Sequence, residues 1–252
     1  MLFGAGNLIF PVHLGQIAGA HWLSASSGFL ISGVLIPLMA LLAISITRAN
    51  GIYDLAQPIG RRYALIFLIL ILATLGPLFA TPRTATVPYT IGIAPHLSAG
   101  SNAVGLLIYS AAFFGLTYYF STRQGRITTL IGKLLNPLFL LLLFAIFLLA
   151  FLKPLGNTAG TAITTPYMHA AFTNGFLQGY NTMDGLASLA FGITVITAIK
   201  SFGIKQQRTI SIATAKSGLL GLAGIGLIYL SLTWLGATSL HHFSMAANGE
   251  PL

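Results

Sequence analysis

Of 252 residues, 56% are hydrophobic and 6% are charged, with a net charge of +9 and no cysteine. A soluble domain carries roughly 25% charged residues to wet its surface, so water cannot cover this chain and lipid must cover much of it. The basic residues sit in short clusters between apolar runs rather than on one face, which excludes a nucleic-acid-binding surface, and the missing cysteines exclude a disulfide framework and a thiolate metal site.

A helical membrane span needs about 20 mostly apolar residues. Seven segments satisfy this, at roughly 2–20, 26–47, 63–92, 103–122, 134–152, 171–199 and 209–236. Stretches such as Phe139–Leu152 are apolar on every face, so the alternation of a transmembrane β-barrel is absent. No basic region precedes the first apolar run, and no cleavable signal peptide is expected.

The first span carries Gly4-Ala5-Gly6-Asn7-Leu8-Ile9-Phe10-Pro11. Two glycines beside an Asn, with a proline following, suit a continuous helix poorly. Irregular backbone at membrane depth occurs only where it is buried or lines a cavity. A break here would release carbonyls toward a cation and aim the next half-helix at an anionic group. Close helix packing accounts for the glycines equally well.

The third span ends in Gly76-Pro77-Leu78-Phe79-Ala80-Thr81-Pro82-Arg83-Thr84-Ala85-Thr86-Val87-Pro88, a kinked, polar stretch. Arg83 falls near the outer boundary, as an interface anchor or as a gate that contacts a carboxylate. The sixth span is interrupted by Gly175-Phe176-Leu177-Gln178-Gly179-Tyr180-Asn181-Thr182-Met183-Asp184-Gly185. Asp184 is the only carboxylate inside any of these spans. An acid at depth is costly and points to function; as the plainer alternative, it caps the helix that restarts at Gly185. In the seventh span Ala213, Ser217 and Gly221, with Gly218, Gly224 and Gly226 nearby, read as a small-residue packing stripe. The six histidines form no metal-binding spacing and read as interfacial residues.

Arg48, Arg61, Arg62, Arg123, Arg126, Lys133, Lys200, Lys205, Arg208 and Lys216 fall in loops of one side if all seven spans cross, against Lys153 alone on the other. The positive-inside rule makes the basic loops cytoplasmic. It places Arg61, Arg126 and Lys205 inside, and His96, Asn157 and the C-terminal tail outside.

The first and sixth spans are both interrupted by Gly and Asn. Paired interruptions at corresponding positions of two repeats are the best sequence pointer to a transporter site. Odd and even spans run oppositely, so such repeats would be inverted. A channel would show rings of charge, and one Asp without a paired catalytic group is too little for an enzyme.

Gly4 to Pro11, the run from Gly76 through Arg83 to Pro95, and Asn174-Gly175-Phe176 with Gly179 to Asp184 resemble the bacterial branched-chain amino acid:cation symporters of the BrnQ type, over nearly the whole chain. The resemblance implies an all-α, LeuT-like inverted-repeat fold in the bacterial inner membrane. One transmembrane domain, 1–252, would hold a first five-helix repeat at about 1–152 and an incomplete second at about 171–236. It also implies uptake of leucine, isoleucine and valine coupled to Na+, or to H+ in some members, with no further cofactor. The substrate would lie between the two breaks, with Gly4, Ala5, Gly6 and Asn181 at its head group and Phe10 and Tyr180 at its aliphatic side chain. Gly4, Gly6, Asn7 and Pro11 also resemble the motif of LeuT-type sodium symporters, where the Asn is a sodium ligand. Asn7 and Thr182 are accordingly the candidate Na+ ligands, and Asp184 the candidate for the cation or the substrate ammonium. Members of that family carry several more spans than the seven read here. The alternative is therefore a truncated, transport-incompetent fragment or accessory subunit of such a carrier.

Overall fold

The computed structural model describes residues 4–122, 131–204 and 206–240, and these are helices joined by short turns, with no strand among them. Arg123, Arg126, Lys205, His241, His242 and Glu250 lie outside the described residues. The chain forms two compact units, one of residues 1–75 and 154–252 and one of residues 76–153.

The first unit contains α1 (Ala5–Ala18), α2 (Trp22–Leu30), α3 (Ile36–Thr47), the short α4 (Ile52–Ala56) and α5 (Arg61–Ala73). The second unit holds α6 (Ala80–Gly92), α7 (Asn102–Ser121) and α8 (Asn136–Leu152). The chain then returns to the first unit with α9 (Thr165–Tyr180), α10 (Asp184–Ser201) and α11 (Gln207–Ser239).

Six helical stretches among the described residues are long and apolar enough to cross a membrane, where the sequence suggests seven spans. The difference lies in Gly6–Thr47, one stretch by length that contains both the first and the second expected span. Its packing register shows two crossings. Going up α1 also goes up α11: Asn7 bonds Tyr229, and Gln16 Nε2 donates to Ser239 Oγ at 3.3 Å. Going up α2 and α3 goes down α11: Phe29 stacks edge-on against Tyr229, and Gln207 Nε2 donates to the Ser45 carbonyl at 2.8 Å. So α1 runs against α2–α3, and the chain reverses at Gly19–His21. Gly19 takes φ of +50°, and a Cβ there would overlap the Ala162 carbonyl oxygen. Thr164 Oγ1 then donates to the Ile17 carbonyl at 2.8 Å and satisfies the end of α1. From Trp22 to Thr47 the second span covers roughly 39 Å, enough for a hydrocarbon core of about 30 Å.

The sixth span runs parallel to the second. His21 Nδ1 lies 3.0 Å from the Tyr167 carbonyl, and Ser32 Oγ donates to the Phe176 carbonyl at 2.6 Å. The first and sixth spans are therefore antiparallel, as the sequence pattern anticipates. Helix α9 begins at Thr165, where Pro166 can open a helix without needing its missing N–H, but the backbone leaves helical geometry at Ala170 (φ −133°, ψ 39°), and the expected sixth span starts just after this kink, at Ala171.

Glycines let two helix pairs touch backbone to backbone. A Cβ on Gly15 or Gly236 would overlap main-chain atoms across α1 and α11. A Cβ on Gly28 or Gly175 would do the same across α2 and α9. Lipid gives such pairs no hydrophobic drive, so this close packing is what holds them.

The small-residue stripe of the seventh span holds for Gly218 and Gly226, which are buried, and needs correction at Ser217, Gly221 and Gly224. Gly221 and Gly224 would meet nothing on gaining a Cβ, and both are exposed, as is Ser217. The buried row is one residue further on, at Thr214, Gly218, Leu222 and Gly226, and it continues to Tyr229. Gly218 faces Leu38 and Leu41, and Gly226 faces Leu30 and Val34. These four-residue steps match helix geometry as well as the expected stripe does; which row is buried depends on where α2–α3 lies.

In the second unit α6 packs on α7, where Tyr89 Oη donates to the Asn102 carbonyl at 2.8 Å and the Tyr89 and Tyr109 rings lie 5.6 Å apart. The backbone leaves helical geometry at Gly76 (φ −96°, ψ −116°), which is the expected kink, but Pro82, Arg83 and Pro88 all lie within α6. Leucines, isoleucines and phenylalanines along α7 and α8 are widely exposed, as lipid-facing helices require.

Candidate functional site

The two expected interruptions meet inside the first unit. Gly4 is extended (φ −132°, ψ −178°), and helix α1 starts at Ala5. Gly6 and Asn7 are thus in the first helical turn, not in non-helical backbone. Asn7 fixes this start itself, since its Oδ1 accepts from the Gly4 N–H at 3.2 Å and its own N–H donates to the Gly4 carbonyl at 3.1 Å. Four residues on, Pro11 has no N–H to return to the Asn7 carbonyl.

The sixth span does break. Helix α9 ends at Tyr180, Asn181 and Thr182 turn, and Met183 adopts the left-handed conformation at φ +61°. Asp184 opens α10. Thr182 Oγ1 donates to the Gly179 carbonyl at 2.7 Å and accepts weakly from the Asp184 N–H at 3.4 Å. The turn is therefore tied off by Thr182. The Asp184 carboxylate makes no cap, so the plain capping role is not what the geometry shows.

That carboxylate crosses to two other spans instead. Asp184 Oδ2 accepts from Asn7 Nδ2 at 2.7 Å and from Tyr229 Oη at 2.7 Å. Asn7 Nδ2 also donates to Tyr229 Oη, which closes a triangle. All three residues are buried, with Tyr229 at 1% exposure and Asn7 and Asp184 at 4%. A buried carboxylate is tolerated only when donors replace its water; here they come from the first and seventh spans. Beside the triangle, Phe29 meets Tyr229 edge-on at 5.1 Å, and both rings belong to an apolar cluster that extends to Leu14, Ile17 and Ala18 of α1. The second span bulges into a π-turn at Ile31–Leu35 on the same side, where Gly33 faces the Phe29 and Tyr229 rings. Such bulges are frequent at functional sites.

The remaining expected site residues are less central. Phe10 packs half-buried against the apolar cluster. Tyr180 is 55% exposed and Asn181 is exposed. Arg83 belongs to the second unit, in α6. The backbone of Gly4, Ala5 and Gly6 lies at the start of α1, beside Asn7. Sequence reasoning missed Tyr229, although it is the only tyrosine of residues 209–236. It lies in the buried row of α11, which the spacing of the sequence alone does not single out.

A family model described as branched-chain amino acid transport protein matches residues 1–252. The chain belongs to that family. The branched-chain amino acid permease BrnQ of Lactobacillus delbrueckii subsp. lactis is 43% identical over 250 residues, covering 99% of this chain and 56% of that protein. The permease BraB of Bacillus subtilis is 39% identical over 254 residues, and BrnQ of Escherichia coli K12 37% identical over 252, each covering all of this chain and 56% of the relative. The chain thus spans a little over half the length of these curated relatives. They are transport permeases, not enzymes. With the apolar helices, this makes the chain a multi-pass protein of the bacterial inner membrane. No solved structure matches it.

Proposed function

We propose that this chain carries the binding centre of a secondary transporter that takes up leucine, isoleucine and valine with a coupling cation, Na+ or H+. The observation that carries the reading is the 2.7 Å bond from Asn7 to Asp184, which joins the start of the first span to the break of the sixth across 177 residues of sequence. A LeuT-like arrangement accounts for it, because antiparallel first and sixth spans would then be equivalent members of inverted repeats. The donor set suits a hard cation. It offers the Asp184 carboxylate, Asn7 Oδ1 and Thr182 Oγ1, all oxygens. Among the described residues, the donors from Asn7 and Tyr229 both meet Asp184 Oδ2, so in this reading a Na+ ion or a substrate ammonium would approach Oδ1. The first-turn backbone of α1 would receive the substrate carboxylate. An apolar pocket distinguishes aliphatic side chains by only about 1–3 kcal/mol per methylene, so overlapping use of three substrates is natural.

A second reading rests on length. With 56% of its relatives' length, the chain alone would bind substrate yet fail to transport, as a fragment or accessory subunit. One experiment separates the readings. The purified chain in liposomes is given labelled leucine with an inward Na+ or H+ gradient. Concentrative uptake supports a complete carrier, saturable binding without accumulation supports the binding-only fragment, and neither signal refutes both.

A further inference from the structure

The seventh span enters the site through one side chain. Tyr229 is almost fully buried, and its hydroxyl both donates to Asp184 Oδ2 and accepts from Asn7 Nδ2. The Asn7 amide nitrogen has two hydrogens, and one goes to each partner. Removing the hydroxyl would leave one of them without its acceptor and Asp184 with one donor fewer. In a dry setting the remaining groups would turn to find other partners, because an unpaired buried donor is costly.

The ring is held independently of its hydroxyl. Phe29 meets it edge-on at an interplanar angle of 89°, and Gly33 on the same span leaves room beside both rings. Packing and hydrogen bonding at this residue can therefore be separated by substitution. The row Thr214, Gly218, Leu222 and Gly226 seats α11 on the second span and fixes where the hydroxyl arrives.

We propose that Tyr229 is a positioning residue: through its hydroxyl, the seventh span sets the orientation of the Asp184 carboxylate and the Asn7 amide that a bound amino acid or cation meets. The inference rests on the reading of the two span starts as a binding centre. Tyr229 touches no substrate in this scheme and acts through Asp184.

The test uses the full chain in lipid nanodiscs, with tritiated leucine binding measured at fixed NaCl. Tyr229→Phe keeps the ring and its contact with Phe29. It is expected to raise the leucine Kd about tenfold, as loss of a hydrogen bond to a charged group does, while the number of sites per chain stays constant. In an Asp184→Asn background the same change is expected to alter Kd by less than about threefold, since the group it positions has already lost its charge. Phe29→Leu, which loosens the ring but keeps the hydroxyl, is expected to have the smaller effect. The proposal is overturned if the parent chain binds leucine and Tyr229→Phe binds it within twofold. It is overturned too if Phe29→Leu matches Tyr229→Phe, or if the two single effects simply add. If the parent chain itself binds no leucine, the binding-centre reading fails and takes this proposal with it, a result distinct from the others because every variant is silent.

Discussion

Replacing Asp184 with Asn separates a structural tie from a binding charge. In the parent, Oδ2 accepts from both Asn7 and Tyr229 at 2.7 Å. An Asn side chain can turn its own oxygen to the same donors, so both bonds survive as neutral ones. Hydrogen bonds to charged groups contribute about 1.5–3 kcal/mol and neutral ones about 0.5–1.5, so the two weakened bonds together cost the fold roughly 2–3 kcal/mol. A bound cation or ammonium loses more. Removing one partner of a buried charge pair costs about 3–5 kcal/mol, which is more than a hundredfold in affinity. We expect Asp184→Asn to insert normally, to lower the unfolding temperature modestly and to lose leucine binding by more than about a hundredfold. Equilibrium binding in nanodiscs beside a thermal unfolding curve reads both. Leucine affinity within threefold of the parent would refute the argument and leave the carboxylate as a tie between spans.

Gly28→Val should be severe, because a Cβ there overlaps the Phe172 carbonyl oxygen and lies 2.8 Å from the Phe176 nitrogen; overpacking of about 1–3 kcal/mol or more should appear as a lower unfolding temperature. Gly221→Ala, on the exposed row of α11, should be neutral or raise stability by up to about 1 kcal/mol through helix propensity, and a loss as large as that of Gly28→Val would show that the buried row is wrongly assigned. Asn7→Ala removes the Gly4 contact and both bonds to the triangle, so leucine binding should fall at least tenfold. Single cysteines should be labelled from outside by an impermeant reagent at position 157 and not at position 61, and the reverse pattern in intact cells would overturn the orientation.

Much of this was legible because lipid restricts the choices. The apolar runs give the spans, and the glycines with Asn7 and Asp184 mark the places where those runs fail as helix. What the sequence could not supply is which helix faces which. The sequence already separates the first two spans, at 2–20 and 26–47, although Gly6–Thr47 is one helical stretch by length; the register against α11 shows the reversal at Gly19. The row at Ala213 and the row at Thr214 have the same spacing and similar residues, so periodicity cannot choose between them. Tyr229 was hidden for the same reason: in sequence it is one aromatic in an apolar helix, and its hydroxyl matters only because α1 and α10 bring their polar groups to it. The break expected within Gly4–Asn7 is confined to Gly4. A glycine-rich start can be completed by an Asn side chain that caps its own helix, which leaves Asn7 helical.

The distribution of donors bears on what the chain can do at its length. A carboxylate in a sixth span could have been compensated by any span of a longer carrier. Here, among the described residues, the donors to the Asp184 carboxylate come from Asn7 in the first span and Tyr229 in the seventh, while Thr182 of its own turn accepts from the Asp184 backbone N–H. The second span supplies Phe29 and the π-turn beside them. Every one of these elements lies in the first unit, and its helix pairs are held by glycine contacts within that same unit. Among the described residues, the donors that hold Asp184 and the glycine contacts that position their helices thus belong to one unit. Binding at the centre and movement across the membrane are therefore separable requirements. Under the proposed reading, binding is the property to measure first on this chain, because the three side chains it would use already meet here.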